Sequence, residues 1–507
     1  MNALSRRLLS ERTDSGGVIL PDQNVFDLPE KVLQFGTGVL LRALPDYFID
    51  KANRAGVFNG RIVAVKSTDA GDPSIFAGQD NLYTLCVRGV AHGREVTENT
   101  VCAAISRVLP AKTRWNDVLA CAANPDLAAI VSNTTEVGLR LVREDLRKSP
   151  PDSFPGKLLA FLFARFRAFR GDPHKGLVIV PTELLPDNGA RLKEILLDLA
   201  RHNGLEAGFI HWFDRHCRCC NSLVDRIVPG KPSPEKTDGP WRELGYTDQL
   251  LAVAEPYCLW AVEGDERVRE ALSFHRANPD AMVIATDIRK YLELKLRLLN
   301  GTHTLSCGLA FLCGIFTVGE AMRDRDMQAF IERLMLREIA SAIPYPLPEG
   351  EAERFGRQVL DRLRNPFTEH RWLGIALQYT SKMRARCVPV LLEHYRKYGK
   401  APEYMALGFA AYLRFMKSEK EENGRFYGIF DWAEYRIDDD AAPELSEKWR
   451  AADPVEVTRS ALSDAEIWGT DLGKLPGFAE RVGLLLSQIM KNGARATLQH
   501  CHKTVQK

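Results

Sequence analysis

The sequence predicts an α/β fold in two parts: a doubly wound parallel-sheet domain over residues 1–278, then a mostly α-helical domain over residues 279–507. Three observations carry this. Short apolar runs alternate with helix-spaced stretches through the first half. From Asp287 onward the runs become long and helical, as at 327–342, 351–364, 372–379, 388–398 and 404–415, with no strand series among them. At 507 residues the chain is also too long for one ordinary core. Asn278-Pro279-Asp280 interrupts the pattern and marks the linker. A cleft between the two domains is the natural place for a site.

Residues 31–35 form the first strand and run into Gly36-Thr37-Gly38. Val39, Leu40, Leu41, Leu44, Phe48 and Ile49 follow at helical spacing. A strand, a glycine turn and a helix let the backbone approach a pyrophosphate, with free N–H groups at the helix start. Such an opening fits a Rossmann-like dinucleotide-binding fold, although any tight turn before a helix can use glycine in this way. Leu41 stands where the usual fingerprint has its third glycine, so the close packing of helix on strand is the point of departure.

A second strand at 61–66 completes a βαβ unit and ends in Ser67-Thr68-Asp69. An acid near this point selects NAD through the ribose, whereas Lys66 favours a 2'-phosphate, so NAD is expected and NADP stays open. Residues 81–88 and 95–109 read as a pair of strands in an inserted antiparallel section. The apolar strand at 127–132 ends in the polar loop Asn133-Thr134-Thr135-Glu136, where a crevice at the carboxyl end of the sheet would lie. A helix at 156–169 and a strand at 176–180 lead to Asp187-Asn188-Gly189 and a helix over 190–202. Asn188 reads either as a helix cap or as a substrate-facing amide.

Charge and composition exclude several functions. Lys and Arg number 68 against 66 Asp and Glu, a net charge of +2 with no long basic run, which argues against a nucleic-acid surface. The amino terminus lacks the apolar core of a secretion signal, and the apolar run at 305–318 is too short and too interrupted to span a bilayer, so a cytoplasmic protein with no membrane partner is expected. Eleven cysteines then read as reduced thiols. Cys217, Cys219 and Cys220 beside His216 match no common zinc spacing, and no metal is expected.

The strongest chemical signal is Lys295, Asn300 and His303. At about 100° per residue they fall at roughly 0°, 140° and 80° around a helix axis, so all three can face one cleft. A lysine can exchange a proton with a substrate hydroxyl. An amide and an imidazole can hydrogen-bond the oxygen that gains charge as a C–H bond breaks or forms. The chemistry suggested is alcohol/ketone redox, although a solvated lysine and a helix-end histidine would give the same spacing.

Taken together these residues resemble the polyol-specific long-chain dehydrogenases, the group of mannitol dehydrogenases and hexuronate reductases. The marks are Phe35-Gly36-Thr37-Gly38 with Arg42, Ser132-Asn133-Thr134-Thr135-Glu136, Asn221-Ser222-Leu223-Val224-Asp225-Arg226-Ile227, and Lys295-x4-Asn300-x2-His303. Sugar-acid members are indicated by Gln79-Asp80-Asn81-Leu82-Tyr83-Thr84, Glu183 to Gly189, Asn365-Pro366-Phe367-Thr368-Glu369-His370 and Ser381-Lys382.

The resemblance implies metal-independent hydride transfer between a nicotinamide and a carbon of a small sugar acid. Lys295 would be the acid/base, with Asn300, His303 and, by loop position, Asn188 holding the oxygen. Phe35, Gly36, Thr37, Gly38, Val39, Leu40, Arg42, Thr68, Asn133 and Thr134 would contact the cofactor, and His370 and Lys382 the substrate. Reductases of other hexuronates and mannitol dehydrogenases share the triplet, which therefore fixes the reaction and leaves the substrate open. A nucleotide-binding relative without catalysis would have no need of Lys295.

Overall fold

Strands buried on both faces show no polar side to water, so they read as near-continuous apolar runs. In the computed structural model, which describes residues 1–11, 16–67, 71–134, 138–230, 234–367, 370–450 and 453–505, such runs build the sheet at the centre of the amino-terminal unit. Its strands are β1 (Glu30–Phe35), β2 (Arg61–Lys66), β3 (Ile105–Pro110), β4 (Ala129–Ser132), β5 (Val178–Pro181) and the short edge strand β6 (Arg218–Cys219). All pair in parallel, in the order β3-β2-β1-β4-β5-β6. That is the doubly wound dinucleotide-binding order, whose crevice lies where the order reverses, between β1 and β4.

The period of two along each strand sorts side chains into two layers. Val32, Ile62, Ala64, Val131 and Val180 face a layer that takes Leu41 from α1 (Val39–Ala43) and Phe48 and Ile49 from α2 (Pro45–Arg54). Leu33, Phe35, Val65, Ile130 and Ile179 face the other. It is covered by Leu158 and Leu162 of α3 (Phe154–Ala168), Leu196 of α4 (Asn188–His202) and Trp212 of α5 (Ala207–His216). Each such Leu, Ile or Phe contributes about 1.5–3 kcal/mol by leaving water.

Two details differ from the sequence reading. The helix after the glycine turn is not continuous, because Leu44 leaves helical geometry at φ −133°, ψ −78°. Pro45 restricts the residue before it and then opens α2 at its first position. The stretch 95–109 is also two strands rather than one. Arg94–Cys102 lies beside Tyr83–Ala91 in a four-stranded sheet with Val18–Ile19 and Ala252–Ala254, and Ile105–Pro110 crosses into the parallel sheet as β3. The Arg61 guanidinium holds that crossing by donating to the carbonyls of Ala103 (3.3 Å) and Ile105 (2.6 Å).

The chain divides into two units, Met1–Arg88 with Glu95–Ile288, and Gly89–Arg94 with Arg289–Lys507. The amino-terminal unit extends past Asn278-Pro279-Asp280 because Met282–Ala285 pairs in parallel with Leu259–Glu263. In the second unit α6 (Thr302–Leu312) is buried along its whole length and packs on α8 (Glu403–Phe415), which follows α7 (Val388–Tyr398) in the chain. A Cβ on Gly408 would stand 2.9 Å from the Leu305 carbonyl, so glycine is what lets the two helices approach.

The second unit also contains strands that the sequence reading missed. Lys420–Glu422, Arg425–Phe430 and Ala433–Ile437 form an antiparallel sheet. Its first turn is Asn423-Gly424, both at positive φ (52° and 70°), a strong hairpin signal that surrounding charged residues obscured. Among the described residues no helix is long and apolar enough to cross a membrane.

Candidate active site

β1 ends at Phe35, and Gly36 takes φ +125°, a conformation that favours glycine. A Cβ there would lie 2.7 Å from Leu41 Cδ1 and 3.2 Å from the Asn133 carbonyl. Leu41 thus closes the helix onto the strand with its own side chain, over the glycine beneath it. At Gly38 an added Cβ would meet nothing within 4 Å.

A cavity of about 740 Å³ opens here, lined by Phe35, Gly36, Thr37, Gly38, Asn133 and Thr134, six of the expected cofactor residues. Lys66, Arg140 and Lys157 add three cations to its wall, a charge suited to a pyrophosphate. The Lys157 ammonium donates to the Asp152 carbonyl (2.6 Å), and burial lowers its pKa. Glu183 ties the neighbouring loops by accepting from Thr134 N (2.8 Å) and Ser132 Oγ (3.2 Å).

Val39, Leu40 and Arg42 do not line this cavity. Arg42 is buried, donates to the Leu250 carbonyl and stacks 5.3 Å from the Tyr83 ring, so it serves the core. A five-residue helix turns its fourth position away from the mouth of the turn. Thr68 and Asp69 lie outside the described residues. Arg140 and Lys157 escaped the sequence reading, which followed strand ends; they arrive from the 138–153 segment and from α3.

Beneath the turn, Gln34 Nε2 donates to the Gly36 carbonyl (3.3 Å) and faces Asp46 Oδ2 at 3.5 Å. Burial pushes the Asp46 carboxyl up to about 8, against the lowering effects of Gln34 and Arg42. Asp46 Oδ1, Gln34 Oε1 and Arg42 Nε have no hydrogen-bond partner among the described residues. The folded state therefore keeps a proton that the unfolded chain releases near pH 4, and stability falls as pH rises from about 4 to about 8. Asp46→Asn is expected to remove a fall of a few degrees in melting temperature between about pH 6 and about pH 9. Parallel melting curves for variant and parent across that range would exclude Asp46 as the source.

In the second unit, Lys295–Gly301 is π-helical and runs directly into α6. The reading at 100° per residue does not hold for this turn. Hydrogen bonds from i to i+5 set Lys295 and Asn300 on successive turns beside one another. Lys295 and Asn300 are half-buried and His303 is buried.

The His303 ring sits edge-on between His370 (centroids 5.3 Å) and Trp372 (5.9 Å). Burial, then the charges of His370, Arg362 and Arg386, push its pKa down to about 3, so it is a neutral imidazole at physiological pH. His303 Nε2, Thr302 Oγ1 and Ser306 Oγ on this helix, and the neighbouring Trp372 Nε1, have no hydrogen-bond partner among the described residues. Buried polar atoms are nearly always paired, and these four lie out of reach of solvent.

His370 is exposed as a residue, and the protein packed against its ring lowers its pKa. Lys382 is half-buried, and its ammonium donates to the Ile375 carbonyl (2.9 Å); burial, then Arg386, lowers its pKa. Arg386, one helical turn beyond Lys382, donates to Thr304 Oγ1 (3.1 Å). The sequence reading missed it, although a second cation at i+4 was the available signal.

Asn188 lies in the amino-terminal unit and is spent on backbone. Its Nδ2 donates to the carbonyls of Pro181 (3.1 Å), Glu183 (3.0 Å) and Ser222 (3.1 Å), and its Oδ1 accepts from Ser222 N (2.9 Å). It starts α4 with Asp187 as the cap, and its amide staples the loop after β5. Cys217 and Cys220 are buried thiols pushed up to about 11 and about 12, and so protonated at neutral pH. No group of three or more His, Cys, Asp or Glu among the described residues could hold a metal.

A glycine turn opening a cation-walled cavity at the reversal point of this sheet defines a dinucleotide-binding unit, here followed by a helical unit bearing a lysine, an amide and an imidazole. The chain belongs to the mannitol dehydrogenase family: residues 30–275 match the mannitol dehydrogenase Rossmann domain and 287–490 its C-terminal domain. It is 38% identical to altronate oxidoreductase of Halalkalibacterium halodurans, with 93% of each chain covered. It is 35% identical to altronate oxidoreductase of Bacillus subtilis, over 95% of this chain and 98% of that one. Among solved structures, Pseudomonas fluorescens mannitol 2-dehydrogenase in ternary complex with NAD and D-mannitol shares the fold, with a TM-score of 0.66 at 24% identity over 99% of both chains.

Proposed function

We propose that this protein is an NAD-dependent oxidoreductase that interconverts D-tagaturonate and D-altronate by hydride transfer. The observation that carries the reading is its identity of 35–38% to altronate oxidoreductases across more than nine-tenths of both chains. The arrangement of Lys295, Asn300 and His303 supports it. When bound, NADH supplies the hydride that reaches the carbonyl carbon. Lys295 gives a proton to the oxygen that thereby gains charge, and Asn300 and His303 hydrogen-bond that oxygen. His303 does so as a neutral imidazole and exchanges no proton itself. Oxidation of the alcohol runs through the same groups in reverse.

The backbone of Gly36–Gly38 meets the pyrophosphate, with Lys66, Arg140 and Lys157 supplying the opposing charge. Asn188 acts indirectly, by holding the loop after β5. The eleven free cysteines suit a reducing cytoplasm. NADH oxidation measured against tagaturonate, fructuronate and fructose side by side tests the substrate. The highest kcat/KM is expected for tagaturonate, and faster turnover of either competitor would reassign the enzyme within its family.

His370 and Lys382 are the proposed substrate contacts of the second unit. Lys382→Met is expected to raise the KM for tagaturonate by about tenfold, because a hydrogen bond to a charged group contributes about 1.5–3 kcal/mol, and to leave the Kd for NADH unchanged. An equal loss with an uncharged ketose, or no loss with tagaturonate, would reject Lys382 as a carboxylate ligand.

A further inference from the structure

We infer that Arg386, beside Lys382, reads the carboxylate of the substrate and supplies the paired hydrogen bonds that favour sugar acids over uncharged polyols at this site. The inference rests on the proposed sugar-acid substrate and assigns its recognition to a group the sequence did not reveal.

Arg386 lies on the π-helical stretch Met383–Cys387, which packs against the π-helix Lys295–Gly301. Its Nη1 donates to Thr304 Oγ1 (3.1 Å), and that hydroxyl donates to the Asn300 carbonyl (2.7 Å). The guanidinium is thereby fixed one side chain away from the turn that carries Asn300 and His303. Its charge is felt at both His303 and Lys382.

In this unit Arg297 pairs with Glu293, and Arg364 with Glu332 and Asp361, whereas Arg333 and Arg384 hydrogen-bond to neutral groups. Among the described residues Arg386 has no carboxylate partner, and its side-chain hydrogen bond goes to a neutral hydroxyl. Lys382 likewise gives its ammonium to a carbonyl. Two half-buried cations four residues apart repel one another in partly desolvated surroundings, which an anion between them relieves.

A guanidinium presents five N–H donors in a planar fork, and with one bound to Thr304 the others remain to clasp a carboxylate through two parallel hydrogen bonds. Lys382 offers only a point charge.

Arg386→Gln tests the assignment, because glutamine can keep a donor toward Thr304 while removing the charge and the fork. KM and kcat are measured for tagaturonate and for fructose. The Kd values of D-altronate and D-mannitol are measured by calorimetry on enzyme holding NADH, a combination that cannot react. The expected result is a rise of about tenfold to a hundredfold in the altronate Kd and the tagaturonate KM. NADH affinity and the values for the uncharged compounds should stay unchanged, and Arg386→Lys should recover part of the loss.

A fall in kcat with unchanged altronate Kd, or an equal loss for mannitol, would overturn the assignment and leave Arg386 as a support for the Asn300 turn. Undiminished tagaturonate turnover in Arg386→Gln would likewise overturn it while the proposed function stood. A parent enzyme that binds altronate through Arg386 yet turns over no tagaturonate would uphold the assignment and overturn the proposed function.

Discussion

Lys295→Ala lowers turnover in both directions by roughly two to four powers of ten, the usual worth of a positioned acid/base. Without the ammonium, the oxygen that gains charge must take its proton from water. On the proposed mechanism Asn300 and His303 still hydrogen-bond that oxygen, so the loss stops short of abolition. His303 cannot take over as the acid, because burial holds its pKa down at about 3 and leaves it no proton to give at neutral pH. The residues lining the cofactor cavity all belong to the amino-terminal unit, so NADH titrated by fluorescence binds Lys295→Ala with the affinity of the parent. Near-normal turnover in this variant would dismiss the mechanism. A matching loss of NADH affinity would show that the substitution disturbs more than proton transfer.

The parts of the fold legible in the sequence were those governed by local rules. Continuous apolar runs located β1, β2 and β4 because strands buried on both faces leave no choice of residue. The glycine turn located the cavity because only glycine takes the φ of Gly36 beside Leu41. Other features were present in the sequence but outweighed: Pro45, which ends α1, and Asn423-Gly424, which announces a hairpin. The rest is tertiary. A π-helix has no composition that separates it from an α-helix, so the angles assigned to Lys295, Asn300 and His303 assumed a regular period that the chain does not keep there.

Arg42 shows the same limit from the other side. Adjacency to the glycine turn placed it near the cofactor, whereas packing directs its guanidinium to Leu250 and the core. Arg140, Lys157 and Arg386 stand far in sequence from the groups they accompany, and only the folded chain brings them there.

The second large effect is expected at Gly38. This residue has φ −66° and ψ 162°, ordinary extended backbone that any L-residue adopts. Nothing lies within 4 Å of a Cβ added there, so the ligand-free fold accepts Gly38→Val, and its melting temperature should stay close to the parent's. The isopropyl group instead stands at the wall of the cavity, where the proposed function has the pyrophosphate meet the backbone. Losing two charge-assisted hydrogen bonds at about 1.5–3 kcal/mol each lowers NADH affinity by about a hundredfold or more. Gly36→Val makes the contrast. Its Cβ would press on Leu41 and on the Asn133 carbonyl, at a φ of +125° that side chains rarely adopt, so that variant should lose thermal stability as well. Fluorescence titration beside a melting curve separates the two effects. Unchanged NADH affinity in a normally melting Gly38→Val protein would move the nucleotide site away from the turn between β1 and α1.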